Sequence, residues 1–319
     1  MVNNFHFATW AHRVTNFGGS PQEVDTHVNR LADAGFDLII PCVKNPPGYA
    51  DFHTDVAQVN PDYPDWDPLR VLTESADRRG MKVHAWFCVF RDAALIKKRP
   101  NLGAVHETGD MGWACACHPD VQAYELALYR NVAENYPLHG LHLDYIRTGG
   151  ACRCSACKAQ MAAGGIDIGN IERKDPALAA WTDWRCDRVT AFVEQMRALT
   201  REKGIELSAA VFGDLPACRN ANSQDWGLWA EKDLVDLMLP MNYDNSTRNM
   251  RLRTRAHVAL VDNHCPVWEG LGKSSSMSQL TTEVMMDQIR TAKSEGASGA
   301  VLFSYPALSD EDLEAIQSL

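Results

Sequence analysis

Short apolar runs alternate along this chain with longer segments whose apolar residues recur at helical spacing. The apolar runs predict strands at residues 5–10, 37–42, 82–87, 140–144, 206–211, 235–242, 266–268 and 300–304. The segments between them predict helices at residues 22–34, 67–79, 121–135, 176–203, 224–231, 253–262, 280–294 and 310–317. Two of these helices begin with a capping side chain followed by proline, at Ser20-Pro21 and Asp67-Pro68.

Alternation of this kind predicts a parallel α/β sheet, because each helix returns the chain to the same edge of the sheet. Eight such units in 319 residues favour a single closed (β/α)8 TIM barrel over residues 1–319. A doubly wound open sheet would usually carry a glycine-rich first turn, which Ala11-His12-Arg13-Val14 is not. The long loops are expected after strands 2, 3 and 4, at residues 44–66, 91–119 and 148–175, on the catalytic face of the barrel.

Composition narrows the possible partners of this chain. Hydrophobic residues make up 45% of the sequence and charged residues 23%, as in a globular enzyme. The net charge of −10 argues against nucleic acid or an anionic membrane surface as the main partner. No basic-then-apolar leader opens the chain, so we expect the cytoplasm if Met1 is the native start and export if a leader was removed. The oligomeric state is left open.

The strand predicted at residues 140–144 ends on a carboxylate and an aromatic residue, with an arginine shortly after. Asp144, Tyr145 and Arg147 therefore lie where the strands of a barrel face the active site. Hydrolysis of a glycosidic bond requires two carboxyl groups across a cleft. Asp144 is the first candidate, and Glu269 or Asp244 is the candidate partner. Structural alternatives stay open for each, namely an ion pair or a solvated loop position.

Aromatic and polar residues at the other strand ends complete a rim that suits a sugar, whose C–H faces stack on rings while its hydroxyls form hydrogen bonds. For His84, a histidine buried inside the barrel is an equally good interpretation. The candidate substrate-binding residues are Trp10, His12, His84, Trp86, Tyr145, Arg147, Trp226, Asn242, Tyr243 and Tyr305.

These residues predict a glycoside hydrolase that cleaves an oligo- or polysaccharide by a two-carboxylate mechanism centred on Asp144, with retention of configuration favoured. Two alternatives remain. A carbohydrate-binding barrel without catalysis would use the aromatic rim alone. A metal-dependent hydrolase or lyase would need histidines and carboxylates from several strands, and no His-x-His follows strand 1.

Five of the ten cysteines fall in two clusters. Cys152, Cys154 and Cys157 form a Cys-x-Cys-x-x-Cys loop, and a structural zinc ion takes four ligands. Cys115 or Cys117 would supply the fourth ligand, with His118 as a weaker candidate. We expect a structural zinc site and no organic cofactor, while disulfides and free thiols stay open as alternatives.

Several motifs together resemble the glycosyl-hydrolase-like family 10 barrels, also known as the domain-of-unknown-function 187 group. The resemblance implies a (β/α)8 barrel that acts on glycans, with Asp144 at the aspartate of strand 4 and Met241, Asn242 and Tyr243 at the Met-Asn-Tyr element. Glu269 stands where the resemblance leads us to expect a small or apolar residue. The motifs are Gly-Leu-His-Leu-Asp-Tyr-Ile-Arg at 140–147, Gln-Asp-Trp-x-x-Trp at 224–229, Val-Asp-x-x-x-Pro-Met-Asn-Tyr at 235–243, the segment at 67–87, and the closing segment at 299–305.

The cysteine loop is not general to that family. It resembles the zinc loop of family 42 β-galactosidases, which pairs Cys-x-Cys-x-x-Cys with one cysteine four residues before a proline. Cys115 lies four residues before Pro119, so this resemblance implies the ligand set Cys115, Cys152, Cys154 and Cys157. It does not extend to activity, because that family has an Asn-Glu pair at the end of strand 4 where this chain has Asp-Tyr.

Overall fold

The computed structural model describes residues 5–106, 109, 112–172 and 174–319. Its strands are β1 (His6–Ala11), β2 (Leu38–Lys44), β3 (Lys82–Cys88), β4 (Gly140–Asp144), β5 (Glu206–Phe212), β6 (Leu237–Met241), β7 (Trp268–Gly272) and β8 (Gly299–Phe303). They pair in sequence order, all parallel, and β8 pairs with β1 to close the barrel. The predicted (β/α)8 architecture is confirmed.

The helices surround this barrel. Within the described residues they are α1 (Pro21–Asp33), α2 (Pro68–Arg78), α3 (Ala93–Lys98), α4 (Pro119–Asn135), α5 (Ser155–Ala163), α6 (Ala177–Lys203), α7 (Leu215–Asn222), α8 (Trp226–Glu231), α9 (Thr247–Val261), α10 (Thr282–Ser294) and α11 (Asp310–Gln317). Eight of them correspond to predicted helices. The strict alternation was too simple, because the short helices α3, α5 and α7 lie in the segments after β3, β4 and β5.

Side chains on each strand alternate between the barrel interior and the helix layer. Trp10, Trp86 and Val301 pack inside the barrel, whereas Leu141 and Leu271 pack outward against the helices. Leu141 is fully buried, so truncation to alanine would cost roughly 2–5 kcal/mol. This alternation decides which strand residues can reach a site at the end of the barrel.

The prediction for β7 was wrong in a way that matters for the site. The apolar run at residues 266–268 overlaps the strand only at Trp268, from which β7 continues to Gly272. Glu269 pairs in register with Ala300 in mid-strand and faces the helix layer. Gly270 faces inward, and a Cβ there would lie 2.9 Å from the ring of Trp10 and 2.7 Å from the carbonyl oxygen of Pro240. Only glycine fits at position 270. Because glycine is uncommon in strands, its presence there also made the strand hard to recognise from the sequence.

The loop after β3 folds back toward the end of the barrel. Arg91 forms an isolated antiparallel bridge with Trp113, and Gly103 forms another with Ala114. This arrangement brings Trp113 against the first residues beyond β4. No helix in the described part of the chain combines the length and the apolar character needed to cross a bilayer.

Candidate active site

A cleft of about 230 Å³ opens at the carboxyl ends of the strands. Barrel enzymes place their chemistry at this end. Among the described residues that line it, Asp144 is the single carboxylate. The lining residues are Trp10, His12, Cys42, Pro46, Trp86, Cys88, Asp144, Tyr145, Arg147, Ala210, Met241, Tyr243, Ser275, Ser276 and Phe303.

Asp144 is the last residue of β4 and is only 6% exposed. Its Oδ1 accepts a hydrogen bond from the backbone N–H of Tyr145 at 2.5 Å and another from Arg147 Nη1 at 3.4 Å. Burial raises the pKa of Asp144, and the charge of Arg147 and the Tyr145 N–H only partly oppose this effect. A carboxyl group that holds its proton more readily than usual suits a proton donor.

Arg147 is held over Asp144 by aromatic rings. Its guanidinium carbon lies 4.2 Å from the ring centroid of Tyr145, 4.7 Å from that of Phe212 and 5.6 Å from that of Trp113. Tyr145 has a backbone φ of +50°, which is uncommon for a residue other than glycine. This conformation turns the chain sharply after β4. The turn and the stacking together fix the cation beside the carboxylate.

The structure brings seven of the predicted site residues together at this cleft: Trp10, His12, Trp86, Asp144, Tyr145, Arg147 and Tyr243. The ring of His12 meets Phe303 edge-on, with centroids 4.8 Å apart. Burial raises the pKa of Tyr145 to about 12, and it also raises that of Tyr243. Both phenols therefore stay protonated in the neutral range.

Glu269 does not reach the cleft, and its predicted position at a strand end was wrong. Its side chain is fully buried between the barrel and α9. Oε1 lies 2.8 Å from His257 Nδ1, and Oε2 accepts a hydrogen bond from Asn242 Nδ2 at 3.0 Å. Asn242, a predicted substrate-binding residue, is likewise fully buried in this network and is absent from the described lining of the cleft.

Asp244 is also outside the described lining of the cleft. Its carboxylate accepts hydrogen bonds from the backbone N–H of Ser246 at 2.8 Å and from Asn249 Nδ2 at 3.3 Å, at the start of α9. Arg253 Nη1 lies 3.2 Å from its Oδ2. These contacts match the structural alternative for Asp244 and do not support a role beside Asp144.

Three further predicted substrate-binding residues lie away from the cleft: the placement of Trp226 and Tyr305 was wrong, and His84 follows its alternative interpretation as a buried histidine. Trp226 is buried in the helix layer, where its indole N–H donates to Cys218 Sγ at 3.3 Å. Tyr305 is buried against Phe17, with ring centroids 4.7 Å apart. His84 is fully buried inside the barrel. Each was placed by its distance from a strand end, and that distance does not say which way a side chain points.

Sequence reasoning missed part of the lining. Cys42 and Cys88 lie two positions beyond the inward residues Ile40 and Trp86, so strand alternation alone could have identified them. Ser275 and Ser276 come from the loop after β7, where no periodic pattern exists. Ser276 adds a hydroxyl to the lining, whereas the hydroxyl of Ser275 is engaged within its own loop by Ser278 and the N–H of Met277.

A second candidate site lies beside the cleft, in the loops after β3 and β4. The Sγ atoms of Cys115, Cys152, Cys154 and Cys157 all lie within 4.8 Å of one another, and all four residues are buried. Cys115 Sγ is 3.5 Å from Cys157 Sγ and 3.6 Å from Cys154 Sγ. Tetrahedral zinc with bonds of about 2.3 Å would hold its sulfur ligands roughly 3.8 Å apart. A disulfide needs about 2.05 Å, and all ten cysteines are free thiols here.

The two other candidate ligands have different surroundings. His118 caps α4, because its Nδ1 accepts the backbone N–H of Asp120 at 3.1 Å. Cys117 is buried in the same cluster but is not one of the four converging sulfurs. The geometry fits a four-thiolate metal site with Cys115 as the ligand from the loop after β3.

Comparison with known proteins places the chain in a family. The sequence profile of the glycosyl hydrolase-like 10 family matches residues 2–271. This chain belongs to the glycosyl hydrolase-like 10 family. The resemblance predicted from the motifs is therefore confirmed, and the matched segment includes Asp144 and all four clustered cysteines. Strand β8, which contributes Phe303 to the cleft, lies beyond it.

Individual relatives of this glycosyl hydrolase-like 10 protein are distant. It is 22% identical over 232 residues to the glycosyl hydrolase DigH of Escherichia coli strain K12, a match that spans 61% of this chain and 49% of the relative. The chain thus spans about half the length of the curated relatives it matches.

Solved structures with the same fold include the PgaB (BpsB) glycoside hydrolase domain from Bordetella bronchiseptica, with a TM-score of 0.81, 14% identity and 98% of each chain covered. A β-galactosidase from Marinomonas ef1 superposes with a TM-score of 0.73 and 10% identity, over 98% of this chain and 58% of that one. At such low identity these likenesses show the fold alone.

Proposed function

We propose that this protein is a glycoside hydrolase in which Asp144 donates the proton to the leaving oxygen. The observation that carries the proposal is the position of Asp144 as the single carboxylate among the described lining residues, buried and with a raised pKa. Protonation of the leaving oxygen requires such a group, since a carboxyl with a raised pKa keeps its proton to higher pH and can act as the acid. Membership of a glycosyl hydrolase-like family supports this proposal.

The lining of the cleft suits a carbohydrate. Trp86 and Tyr243 offer ring surfaces, and Ser276 and His12 offer hydrogen-bonding groups. The volume of about 230 Å³ lies below the roughly 300–1,000 Å³ of drug-sized pockets. We therefore propose that one sugar ring of an oligo- or polysaccharide enters the cleft and that its neighbours lie outside.

The second chemical role differs from the initial expectation. Neither Glu269 nor Asp244 reaches the cleft, and both lining tyrosines hold their protons tightly. Some retaining glycosidases use a group of the substrate in place of an enzyme nucleophile. We propose this substrate-assisted route, because it combines retention with one carboxylate. NMR of the first-formed anomer tests it: retention is expected, and inversion would contradict it.

A binding barrel without catalysis is the second candidate. It is favoured because the described residues that line the cleft include no second carboxylate to partner Asp144. The two functions are separated by a hydrolysis screen that measures new reducing ends from peptidoglycan strands, plant and algal polysaccharides and aryl glycosides. The hydrolase proposal expects release by the wild type and by Asp244→Asn, and nearly none by folded Asp144→Asn. Equal binding of glycans by all three proteins without any release would establish the binding barrel.

We also propose that zinc occupies the four-cysteine site in a structural role. A site closed by four thiolates leaves no position for a catalytic water. Cys115 belongs to the loop after β3, whereas Cys152 and Cys154 belong to the loop after β4 and Cys157 to α5, which follows it. When bound, the ion would join these two loops beside the cleft. Trp113, two residues before Cys115, contacts Tyr145, with ring centroids 5.7 Å apart, and also Arg147.

A further inference from the structure

A chain of hydrogen bonds runs through the barrel interior from the cleft to the opposite end. Trp10 Nε1 donates to His142 Nε2 at 3.0 Å. His142 Nδ1 lies 2.9 Å from Ser208 Oγ, and the same hydroxyl lies 2.9 Å from His84 Nδ1. His84 Nε2 lies 3.1 Å from Glu206 Oε2, where the chain ends at an ion pair with Lys82. Trp10 lines the cleft, so this network links the site to the far surface.

The two ends of this chain fix the direction of every bond in it. An indole N–H can only donate, so His142 Nε2 must accept and a neutral His142 must carry its proton on Nδ1. An ionised carboxylate can only accept, so the His84 proton lies on Nε2 and points at Glu206. Ser208 then accepts from His142 and donates to His84. Its alternative acceptor, the carbonyl oxygen of Leu141, is farther away at 3.4 Å.

The charge states of the three titratable groups agree with this direction. Burial lowers the pKa of both His84 and His142, so both rings are neutral near pH 7. The hydrogen bond from His84 lowers the pKa of Glu206 to about 2, so that carboxylate is ionised. The other four members of the network are each at most 2% exposed, so water cannot readily replace a lost hydrogen bond. They are Trp10, His142, Ser208 and His84.

Packing completes the restraint on Trp10. The ring edge opposite Nε1 rests on Gly270, where an added Cβ would lie 2.9 Å from the indole. Phe303 and Tyr243 meet the ring edge-on, at centroid distances of 6.2 Å and 6.5 Å. The indole is therefore held by one directional bond on one side and by close contact on the other. Trp10 is 2% exposed and is one of the residues that line the cleft.

We propose that His142 and Ser208 are positioning residues that hold Trp10 as the floor of the sugar-binding cleft. Neither touches the cleft, and both act through the indole. The proposal rests on the proposed function for its carbohydrate ligand, while the hydrogen-bond order itself does not depend on any activity. It predicts that the interior of the barrel influences affinity for substrate more than turnover.

The first test reads the order of hydrogen bonds in the wild type. Long-range ¹H–¹⁵N NMR distinguishes the two neutral histidine tautomers, and we expect His142 to carry its proton on Nδ1 and His84 on Nε2. Resonances are assigned by His142→Gln and His84→Gln. The same tautomer in both rings, or a charged ring at pH 7, would overturn the proposal whether or not the protein hydrolyses glycans.

The second test follows the indole of Trp10 among the nine tryptophans. Ser208→Ala should shift the Trp10 indole N–H resonance, identified by its loss in Trp10→Phe, and leave the tryptophans other than Trp86, whose ring also meets His142, nearly unchanged. Ser75→Ala is the matched control, because Ser75 is a buried serine of α2 that forms a hydrogen bond with Asp25, away from the hydrogen-bond network of Trp10. An unmoved Trp10 resonance in Ser208→Ala would contradict the proposal.

A double-mutant cycle then connects the indole to the ligand. Ser208→Ala should raise KM, or the Kd for a bound glycan, about 3- to 10-fold while kcat changes less than about 2-fold. In the Trp10→Phe background, which lacks the donor, the same substitution should change KM less than about 1.5-fold. Equal effects in both backgrounds would show a merely structural role. A protein that binds but never cleaves would contradict the hydrolase and leave this cycle measurable through Kd.

Discussion

Asp144 and Glu269 are buried carboxylates on two strands of one barrel, yet their surroundings differ. Asp144 ends β4 on the inner face and lines the cleft, with Arg147 beside it. Glu269 lies in mid-strand on the outer face, where His257 and Asn242 occupy both of its oxygens. One carboxylate faces a space that a ligand can enter. The other completes a closed polar network that ties the barrel to α9.

The same contrast appears in the proton affinities. Burial raises the pKa of Asp144, because the opposing contacts do not fully compensate for lost solvation. In the pair of Glu269 with His257, the resolved change is in the pKa of the histidine. Burial alone would lower the pKa of His257, but the charge and hydrogen bond of Glu269 raise it above its usual value. The raised pKa of Asp144 suits a proton donor, whereas both oxygens of Glu269 are held by buried partners that stabilise the fold.

The largest effect we predict is on activity, and it distinguishes the role of Asp144 from that of Glu269. Asp144→Asn should lower kcat/KM by roughly 10²- to 10⁴-fold, because it removes the proton donor and keeps the shape of the side chain. Glu269→Gln should keep kcat/KM within about 3-fold when the rate is expressed per folded molecule. Circular dichroism checks folding of both variants. A comparable loss in both would remove the distinction between the two carboxylates.

The next largest effect concerns stability. Glu269→Gln should lower the free energy of unfolding by roughly 3–5 kcal/mol, since it breaks a buried pair and leaves His257 without its counter-charge. The raised pKa of His257 means that this stabilisation is full below about pH 6.5 and is lost as the pH rises through the raised value. Urea unfolding at pH 6 and pH 9 measures both. A loss for Glu269→Gln that is larger at pH 9 than at pH 6 would contradict this account.

Zinc bound by the loops beside Asp144 should have an intermediate effect on the free energy of unfolding. At free zinc 100-fold above Kd, binding to the folded state alone adds about 2.7 kcal/mol of stability. We expect about one zinc ion per chain by elemental analysis, its loss in Cys115→Ser, and its retention in the matched control Cys117→Ser. Retention in Cys115→Ser together with loss in Cys117→Ser would reassign the fourth ligand.

The smallest effect is the stability cost of keeping Asp144 buried. Its folded-state pKa lies above the ordinary value of 3.8, so the wild type loses stability as the pH rises from that value through the raised one. Asp144→Asn should therefore have the same or a slightly lower free energy of unfolding than the wild type at pH 3, and a higher one at pH 7. Thermal unfolding at the two pH values measures the difference. A destabilised Asp144→Asn at pH 7 would indicate that the carboxylate serves stability.

The barrel was predictable because strands and helices differ in the spacing at which apolar residues recur, and this spacing can be read from the sequence. Asp144, Tyr145 and Arg147 were predictable for the same reason, since the run at 140–144 ends abruptly on polar residues. The cysteine set followed from spacing and resemblance, and the sulfur geometry agrees with it.

Other parts of the site depend on information that one strand does not contain. The side to which Glu269 points depends on where β7 starts and ends, and the glycines at 270 and 272 hide its length. Gly270 is set by contact with Trp10 from β1, a constraint between strands distant in sequence. Ser275 and Ser276 lie in a loop whose path depends on packing. Periodicity therefore locates a strand whose apolar run ends abruptly, as at Asp144, while the bounds of a glycine-rich strand and the face of each side chain require the register.

The dependence of rate on the leaving group tests the role of Asp144 most directly. Aryl glycosides of the sugar identified by the screen should be compared for the wild type and Asp144→Asn. With a leaving group that needs a proton, such as phenol, we expect Asp144→Asn to lose roughly 10²- to 10⁴-fold in rate. With 2,4-dinitrophenol, which departs without a proton, the loss should shrink to less than about 10-fold. Equal losses on both substrates would contradict Asp144 as the proton donor.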